Sequence, residues 1–190
     1  MPTSQPRRPT GRPLPGEYAA YAAADIDAVI GDDALEALTT QRDTVLRLLA
    51  PLDDAAVDGV RYAPGKWALK DVLGHLADDE RVFSYRLLCV ARGDTRELAG
   101  FDERQYATAA RASDRPWATL LADYAAVRQA TLTLLAGLDA SDWARRGEVN
   151  GYVASVRGLA FHIAGHELRH LRAIQTLYYP HVRRSARADS

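Results

Sequence analysis

The sequence predicts an all-α protein, a four-helix bundle with one long crossover between helices 2 and 3 and an extra N-terminal helical segment. Four stretches of the 190-residue chain carry apolar side chains at helical spacing. Residues typical of helix starts and turns bound these stretches. Residues 94–113, between the second and third stretches, show no clear period. Long helices joined by short loops and one long connection are typical of a helix bundle.

The N-terminal part of the chain predicts a tail and then two helices. Residues 1–16 include five prolines, which exclude a helix and predict a flexible tail. The Ala-rich segment 17–30 predicts a short extra helix. Asp33 with Glu36 three residues later resembles a capping box, and leucine and valine side chains follow at helical spacing. These features predict the first long helix over 33–51.

The second and third long helices flank the crossover. The second is a long amphipathic stretch that ends near Gly93. Residues 94–113 then form the crossover as a long connection. Ser113 or Asp114 is expected to cap the third helix, which has a proline in its first turn and continues to Gly137.

The fourth helix is preceded by a weak strand signal. Glycine and valine residues within 147–154 permit a short strand pair. Ser155 is expected to cap the last helix, which runs until Pro180 because a proline interrupts helical hydrogen bonding. We therefore expect one bundle domain over 17–180 and a polar C-terminal tail over 181–190.

Composition and charge exclude several classes of function. Hydrophobic residues make up 47% of the chain and charged residues 26%, as in ordinary globular proteins. The formal net charge is -1, which gives no electrostatic reason to expect binding to nucleic acid or to an anionic membrane. No apolar stretch approaches the ~20 residues of a membrane helix, and the N-terminus lacks the apolar region of a secretory signal. Together with a single cysteine, Cys89, in an apolar run, these features predict a cytoplasmic protein.

Three of the five histidines form a candidate metal site. His166 and His170 lie four residues apart on the last helix, so their side chains lean the same way and can bind one ion. Both occupy positions where the apolar period predicts leucine, and buried imidazoles are unfavourable unless their nitrogens find partners. His75 lies at the border of the apolar face of the second helix, and in a bundle that face can meet the last helix. We therefore predict a divalent metal ion bound by His75, His166 and His170.

The ligand set indicates which metals fit and what kind of site this is. Nitrogen ligands favour Zn or Ni, with Fe or Co as further options, over Mg or Ca. Three protein ligands leave positions open for water or substrate, as in catalytic sites. The alternative is that these are ordinary core or surface histidines. His162 lies off the centre of the apolar stripe and is not counted as a ligand, and His181 is expected to be solvated.

The segment from His166 to His170 also matches H-E-x-x-H, the zinc metallopeptidase motif in which the glutamate is a general base. Those peptidases need a third protein ligand, and no glutamate follows Glu167 in the chain. The extended form of the motif would place glycine and histidine where this chain has Ala173 and Thr176. A metallopeptidase is therefore disfavoured.

The sequence leaves the catalytic residues open, with three acids as candidates. Glu167 either reaches a water at the metal or, as the favoured alternative, pairs on the surface with Arg169 or Arg172. Asp78 and Asp79 follow the histidine of the second helix by three and four residues. Either is therefore placed to orient that histidine or to accept a proton. A solvated acidic helix edge is the alternative for both.

Four sequence blocks stand out by their order and spacing. They are Gly65-Lys66-Trp67, Gly74-His75-Leu76-Ala77-Asp78-Asp79-Glu80-Arg81, Ala91-Arg92-Gly93-Asp94 and Ala164-Gly165-His166-Glu167-Leu168-Arg169-His170-Leu171. Together they resemble the DinB-like (DinB/YfiT) superfamily of metal-binding four-helix bundles, over roughly residues 17–180. The resemblance implies a divalent metal, often nickel or zinc, bound by one histidine of the second helix and an H-x-x-x-H pair of the fourth. Arg169 stands where many members have a further histidine, which weakens any inference about a shared substrate.

The resemblance also implies an activity class. Characterised members of the family include thiol-dependent transferases and isomerases and metal-dependent hydrolases, and they are often dimers. We expect a homodimeric, metal-dependent enzyme that acts on a small molecule, with thiol S-transfer from a low-molecular-weight thiol co-substrate as the favoured reaction. A hydrolase of small esters or amides and a non-enzymatic metal- or ligand-binding stress protein are the alternatives. The candidate pocket residues are Arg61, Tyr62, Trp67, Tyr85, Arg86, Asp102 and Tyr106.

Overall fold

A computed structural model describes residues 10–182 of the chain. Residues 1–9 and 183–190, most of the two predicted tails, lie outside the described residues. The described chain is mostly helical with one short hairpin, and it confirms the predicted all-α four-helix bundle. Within the described range, no helix combines the length and the apolar character that crossing a membrane requires.

Four long helices form the bundle, and shorter elements connect them. The long helices are α2 (Ala34–Leu49), α4 (Leu69–Ala91), α6 (Trp117–Ala136) and α8 (Val156–Ala173). The shorter elements are α1 (Ala23–Asp27), α3 (Asp54–Val57), α5 (Glu103–Ala110), α7 (Ala140–Ala144), β1 (Arg146–Val149) and β2 (Tyr152–Ser155). Both α2 and α4 pack against α6 and α8, so α2 and α4 lie at opposite corners of the bundle. The predicted N-terminal segment is present as a 3-10 turn, Ala20–Ala22, followed by α1, which packs on α8.

Two predicted helix starts and the predicted strand pair are confirmed. The Asp33 carboxylate accepts the backbone N–H groups of Leu35 and Glu36, at 2.9 and 3.2 Å. The Ser155 hydroxyl accepts the backbone N–H of Gly158 at 3.0 Å. Strands β1 and β2 pair in antiparallel fashion directly before α8. Each of these features is encoded by neighbouring residues, which is why the local pattern predicts them.

The start of α6 differs from the prediction. Its first residue, Trp117, donates its backbone N–H to the carboxylate of Asp54 in α3, 2.9 Å away. The hydroxyl of Ser113 instead donates to the Asp71 carboxylate of α4, and Asp114 lies in a 3-10 turn without capping the helix. The capping carboxylate comes from 63 residues earlier in the chain, so a local pattern could not indicate it.

The crossover contains a helix that the sequence prediction missed. Within residues 94–113, α5 begins after Asp102, whose carboxylate accepts the backbone N–H groups of Arg104 and Gln105. Ala107 is the buried residue of this helix. The helix has eight residues, about two turns, which is shorter than the window over which a helical period can be recognised in a sequence.

The last helix continues beyond its predicted end. After α8 a π-helical turn, Ile174–Tyr178, leads into further helical residues, so Pro180 lies inside the helix. The extra residue of a π turn shifts the buried face by one position. Tyr178 is therefore buried, whereas the neighbouring Leu177 is 43% exposed. His181 lies in the final helical turn and is partly buried, not solvated beyond the helix as predicted.

Residues 10–13 lie against the bundle and residues 14–16 are exposed, so the prediction of a flexible tail remains a prediction for residues 1–9. Arg12 donates hydrogen bonds of 2.6, 2.7 and 2.8 Å to three carbonyl oxygens within residues 26–31. These residues form the end of α1 and the loop after it, and α1 packs on α8 at Gly165. A Cβ atom at Gly165 would overlap the carbonyl oxygen of Asp25, so the missing side chain serves close backbone packing.

A layer of polar side chains divides the apolar core. The apolar cluster on one side of the layer includes Leu87 and Phe161, and the cluster on the other side includes Leu73 and Trp117. Each of the four long helices contributes to this polar layer, which consists of the buried side chains Gln41, Asp79, Glu80, Arg128, His166 and Glu167.

Candidate metal centre

The structure brings the three predicted ligand histidines together. The Nε2 atom of His166 lies 3.2 Å from Nε2 of His75 and 3.2 Å from Nε2 of His170. One ring nitrogen from each of the three residues lies within 4.8 Å of the other two. His75 and His166 are buried, and His170 is partly exposed. The cluster is therefore set in the protein interior with an opening on the side of His170.

Helix geometry explains this convergence. His166 and His170 lie about one turn apart on α8, and His75 lies on α4, which packs directly against α8. The indole ring of Trp67, just before α4, packs against the imidazole of His75 with ring centroids 4.8 Å apart. The hydroxyl of Tyr178 donates to the carbonyl oxygen of Trp67 at 2.9 Å. Tyr178, in the π-helical turn after α8, thus helps to fix Trp67, whose ring packs against His75.

Burial keeps these imidazoles neutral. Burial, together with the charge of Arg169, lowers the pKa of His75 to about 4. Burial and the neighbouring His75 lower the pKa of His170 to about 3. The pKa of His166 lies well below its ordinary value, because burial and the surrounding histidines disfavour its protonation. All three rings are therefore unprotonated at neutral pH, which is the form that binds a metal.

Asp79 orients His166, not His75 as predicted. Its Oδ2 atom lies 3.2 Å from Nδ1 of His166, so Nε2 of the same ring is directed at the other two histidines. A carboxylate that binds the second ring nitrogen is the usual partner of a metal-ligating histidine. Burial raises the pKa of Asp79 to about 7. Asp78 is partly exposed and pairs with Arg81 at 3.2 Å, which agrees with an acidic helix edge.

Glu167 is buried, which contradicts the surface pairing favoured from the sequence. Its Oε1 atom accepts from Nη1 of Arg128 at 3.1 Å. Its Oε2 atom accepts from Nη2 of Arg128 at 2.6 Å and from the hydroxyl of Tyr124 at 2.8 Å. Burial raises the pKa of Glu167, and the charge of Arg128 opposes that shift. Residues of α6 hold both carboxylate oxygens, which argues against the general base of a metallopeptidase.

Two cavities reach the histidine cluster. The first, here called the His166 cavity, has a volume of about 460 Å³ and is lined by His166. The second, the His170 cavity, has a volume of about 580 Å³ and is lined by His170. Arg169 and Glu103 line both cavities and so lie between them. Two different molecules can therefore approach the cluster at once.

The predicted pocket residues do not share one cavity. Tyr62 and Trp67 line the His170 cavity, and Arg86 lines the His166 cavity. Tyr85 and Tyr106 line a smaller cavity of about 340 Å³ that also includes Arg86. Arg61 and Asp102 line none of these three cavities: Arg61 donates to the carbonyl oxygen of Lys66, and Asp102 caps α5.

His162 lies outside the three-histidine cluster. Its ring stacks on that of Phe83 with centroids 4.0 Å apart, and both side chains line the His166 cavity. Burial lowers the pKa of His162 to about 3. His162 is therefore neutral, and its ring, stacked on Phe83, forms part of the cavity wall.

A family model described as the DinB superfamily matches residues 33–174. The chain belongs to the DinB superfamily. The matched range contains all four long helices together with His75, His166 and His170. The family assignment made from the four sequence blocks is therefore confirmed.

The fold of this DinB superfamily protein is similar to that of a solved structure, YfiT from Bacillus subtilis. The TM-score is 0.63 at 15% sequence identity, and the match covers 82% of this chain and 85% of YfiT. YfiT is described as a probable metal-dependent hydrolase with an unusual four-helix bundle topology. At this identity the likeness shows the fold alone. Among curated proteins, none matches the sequence significantly.

The donor set of this DinB superfamily protein fits a divalent transition metal. Two nitrogens that are each about 2.05 Å from a tetrahedral zinc ion lie roughly 3.3 Å apart. This spacing is close to the 3.2 Å that separates Nε2 of His166 from the same atom of His75 and of His170. A site with three neutral imidazole ligands, one of which contacts a carboxylate through its second ring nitrogen, is typical of Zn and of neighbouring transition metals.

The buried charge cluster around Arg128 was missed by sequence reasoning. The guanidinium of Arg128 donates to Glu80 at 2.8–3.0 Å, to Glu167 and to the carbonyl oxygen of Leu38 at 3.1 Å. The sequence does contain a signal for this cluster, because Arg128 lies four residues after Tyr124 on the apolar stripe of the third helix. A charged residue at a core position requires partners, as the histidines do.

Proposed function

We propose that this protein is a divalent-metal-dependent enzyme that transfers a low-molecular-weight thiol to a small electrophilic molecule, with His75, His166 and His170 as the metal ligands. The observation that carries the proposal is the convergence of three neutral imidazole nitrogens between two cavities. Zn or Ni fits the ligand set best. Action as a homodimer is part of the proposal.

A divalent ion bound by the three imidazoles would supply Lewis acidity that lowers the pKa of a thiol or of water. The contacts of the chain prepare the site for it. Asp79 holds His166 by its Nδ1 atom, and Trp67 packs against His75. These contacts restrict the imidazole rings before any substrate binds, and such restriction favours catalysis because less ordering is needed during the reaction.

The two cavities favour a reaction between two molecules. In S-transfer the S–H bond breaks and its proton passes to water. The sulfur electron pair forms the new bond to the electrophilic carbon, and the leaving group departs with the electrons of the bond that breaks. We assign the thiol to the His170 cavity, because three basic residues (Lys66, Arg104 and Arg169) and one acidic residue (Glu103) line it, and this excess of positive charge favours an anionic co-substrate. The electrophile then occupies the His166 cavity.

Hydrolysis of a small ester or amide is the second candidate. It is favoured by the fold likeness to YfiT, which is described as a probable metal-dependent hydrolase. A hydrolase needs one organic substrate and water, so a single occupied cavity would suffice. The two reactions therefore differ in their requirement for a thiol.

Metal analysis followed by two activity assays tests the proposal. We expect about one equivalent of Zn or Ni per chain, and loss of this metal in His166→Ala but not in the matched control His181→Ala. A chromogenic aryl halide should then be consumed only when both the metal and a low-molecular-weight thiol are present. Turnover of chromogenic esters without thiol would favour the hydrolase. Less than a third of an equivalent of metal, or metal binding without either activity, would contradict an enzyme of this kind.

A further inference from the structure

The His166 cavity contains a buried cation without an acidic partner. Arg86 on α4 lines this cavity and is 3% exposed. Among the residues that the structure describes, no carboxylate forms an ion pair with its guanidinium. An unpaired buried charge is unfavourable, so such a group is usually completed by an anion.

A second buried arginine, Arg128, has a structural role and differs from Arg86 in its partners. Arg128 has no exposed surface, and Glu80 and Glu167 bind its guanidinium from two neighbouring helices. Arg86 differs in both respects, because it faces a cavity and lacks such partners. Asp79 lines the same cavity and interacts with Arg86 through its charge but forms no ion pair with it, so the guanidinium keeps donors for an anion from outside the chain.

The surroundings of Arg86 hold its guanidinium in one orientation. Its Nη2 atom donates to the carbonyl oxygen of Ala99 at 2.7 Å. The guanidinium carbon lies 4.7 Å from the ring centre of Phe83 and 5.5 Å from that of Phe101. The Nε and Nη1 donors of Arg86 have no hydrogen-bond partner among the described residues, and neither is shut off from solvent. Nη2 keeps a second N–H group, and this group together with Nε or with Nη1 can bind an oxyanion through two parallel hydrogen bonds.

We propose that Arg86 binds the carboxylate of the electrophilic substrate in the His166 cavity. This inference rests on the proposed metal-dependent function, since it names the substrate class of the same site. The other charges of the cavity favour an anion with a single charge. Asp25 is paired with Arg169, whereas Asp79 contacts the neutral His166, so Asp79 and the exposed Glu103 add negative charge to the cavity. A doubly charged phosphate would meet more repulsion than a carboxylate.

The aromatic rings beside Arg86 extend the description of the substrate. Phe83, Phe101 and Tyr21 line the same cavity. They suit a planar or unsaturated group next to the carboxylate, because aromatic faces bury such groups well. Benzoate is therefore the probe of choice, with benzamide as its uncharged counterpart and phenyl phosphate as the doubly charged one.

Calorimetric titration of the zinc-loaded full chain tests the assignment. Benzoate should bind at least about tenfold more tightly than benzamide or phenyl phosphate, as expected for a charge-assisted hydrogen-bonded pair. Arg86→Met should weaken benzoate binding by a similar factor and leave benzamide binding unchanged. Arg47→Met, at an exposed position of α2, is the matched control and should bind benzoate like the wild type. If Arg86→Met does not fold, Arg86→Lys provides the comparison, with the charge kept and the planar fork lost.

Several results would overturn the assignment. They are no benzoate binding by the wild type, equal binding of benzoate and benzamide, tighter binding of phenyl phosphate, or benzoate binding that neither Arg86 variant weakens. Zinc content measured on every sample separates this inference from the proposed function. A zinc-loaded wild type that does not prefer benzoate contradicts the role of Arg86 alone, whereas a wild type without zinc contradicts the proposed metal site.

Discussion

Arg128→Met tests how strongly the polar layer holds the four helices together. The guanidinium of Arg128 is fully buried and binds Glu80 on α4, Glu167 on α8 and the carbonyl oxygen of Leu38 on α2. Methionine retains much of the aliphatic volume and removes the charge. The substitution therefore leaves two buried carboxylates next to each other without a counter-charge.

The expected effect is large. Removing one partner of a buried ion pair costs about 3–5 kcal/mol of the free energy of unfolding. For a domain of this size, 1 kcal/mol corresponds to about 2–4 °C in Tm, so the predicted decrease is roughly 6–20 °C. The hydrogen bond from the Tyr124 hydroxyl to Glu167 remains and compensates only a small part of the loss.

The loss of stability should depend on pH in a defined direction. Burial already raises the pKa of Glu167 above its ordinary value of 4.5, and removal of Arg128 raises it further. A carboxyl group with a raised pKa in the folded state binds more protons there than in the unfolded chain. Stability then increases as the pH falls toward 4.5. The difference in Tm between Arg128→Met and the wild type should therefore be smaller at pH 5 than at pH 7.

Thermal unfolding followed by circular dichroism at pH 7 and pH 5 measures both effects. Arg47→Met, which removes an exposed arginine from α2, serves as the control and should change Tm by less than about 2 °C. A loss below about 1 kcal/mol at pH 7, or a loss that is equal at the two pH values, would refute the reasoning. In that case the polar layer would contribute no more than a surface ion pair.

Three further predictions concern the metal site, the N-terminal segment and helix packing. Asp79→Asn should weaken zinc binding by about 10–100-fold in a competition titration, because the carboxylate no longer orients His166, and unchanged affinity would contradict this. Burial alone would raise the pKa of Glu17, but hydrogen bonds from Arg157 and the backbone hold it below its ordinary value of 4.5. The stability that the ionised Glu17 contributes is present above pH 4.5 and is lost as the pH falls below this value. Glu17→Gln should therefore flatten the acid side of the Tm-against-pH curve. Gly165→Ala should cost about 1–3 kcal/mol, since its Cβ would overlap the Asp25 carbonyl, and a Tm equal to that of the wild type would contradict this packing.

Much of the fold and the clustering of the candidate metal ligands could be predicted because their signals are local. Asp33 and Ser155 cap their own helices, so sequence neighbours are sufficient to identify those starts. His166 and His170 interrupt an apolar period within one helix, and that interruption is visible without any tertiary information. Polar residues at core positions were thus the most informative feature of the sequence.

The remaining features depend on contacts between distant segments. The N-terminus of α6 is capped by Asp54 from another helix, and the partner of Asp79 depends on how α4 and α8 are aligned. Spacing within α4 relates Asp79 to His75, but it does not show which histidine of α8 comes within 3.2 Å. An alignment with Asp79 beside His166 and one with Asp79 beside His170 differ by about one helical turn. Only the packing of the complete bundle decides between them.

The polar layer links the metal site to the stability of the bundle. Glu80 follows Asp79 and Glu167 follows His166, so the residues bound to Arg128 are the sequence neighbours of those that form the site. A shift of α4 against α8 that separated His75 from His166 would also break the Arg128 contacts in the buried core. Because separating these buried charges would cost several kcal/mol, the contacts of Arg128 favour the observed arrangement of the three histidines. The cluster thereby helps to explain how the bundle tolerates three neutral imidazoles in which Nε2 of His166 lies 3.2 Å from Nε2 of each of the other two.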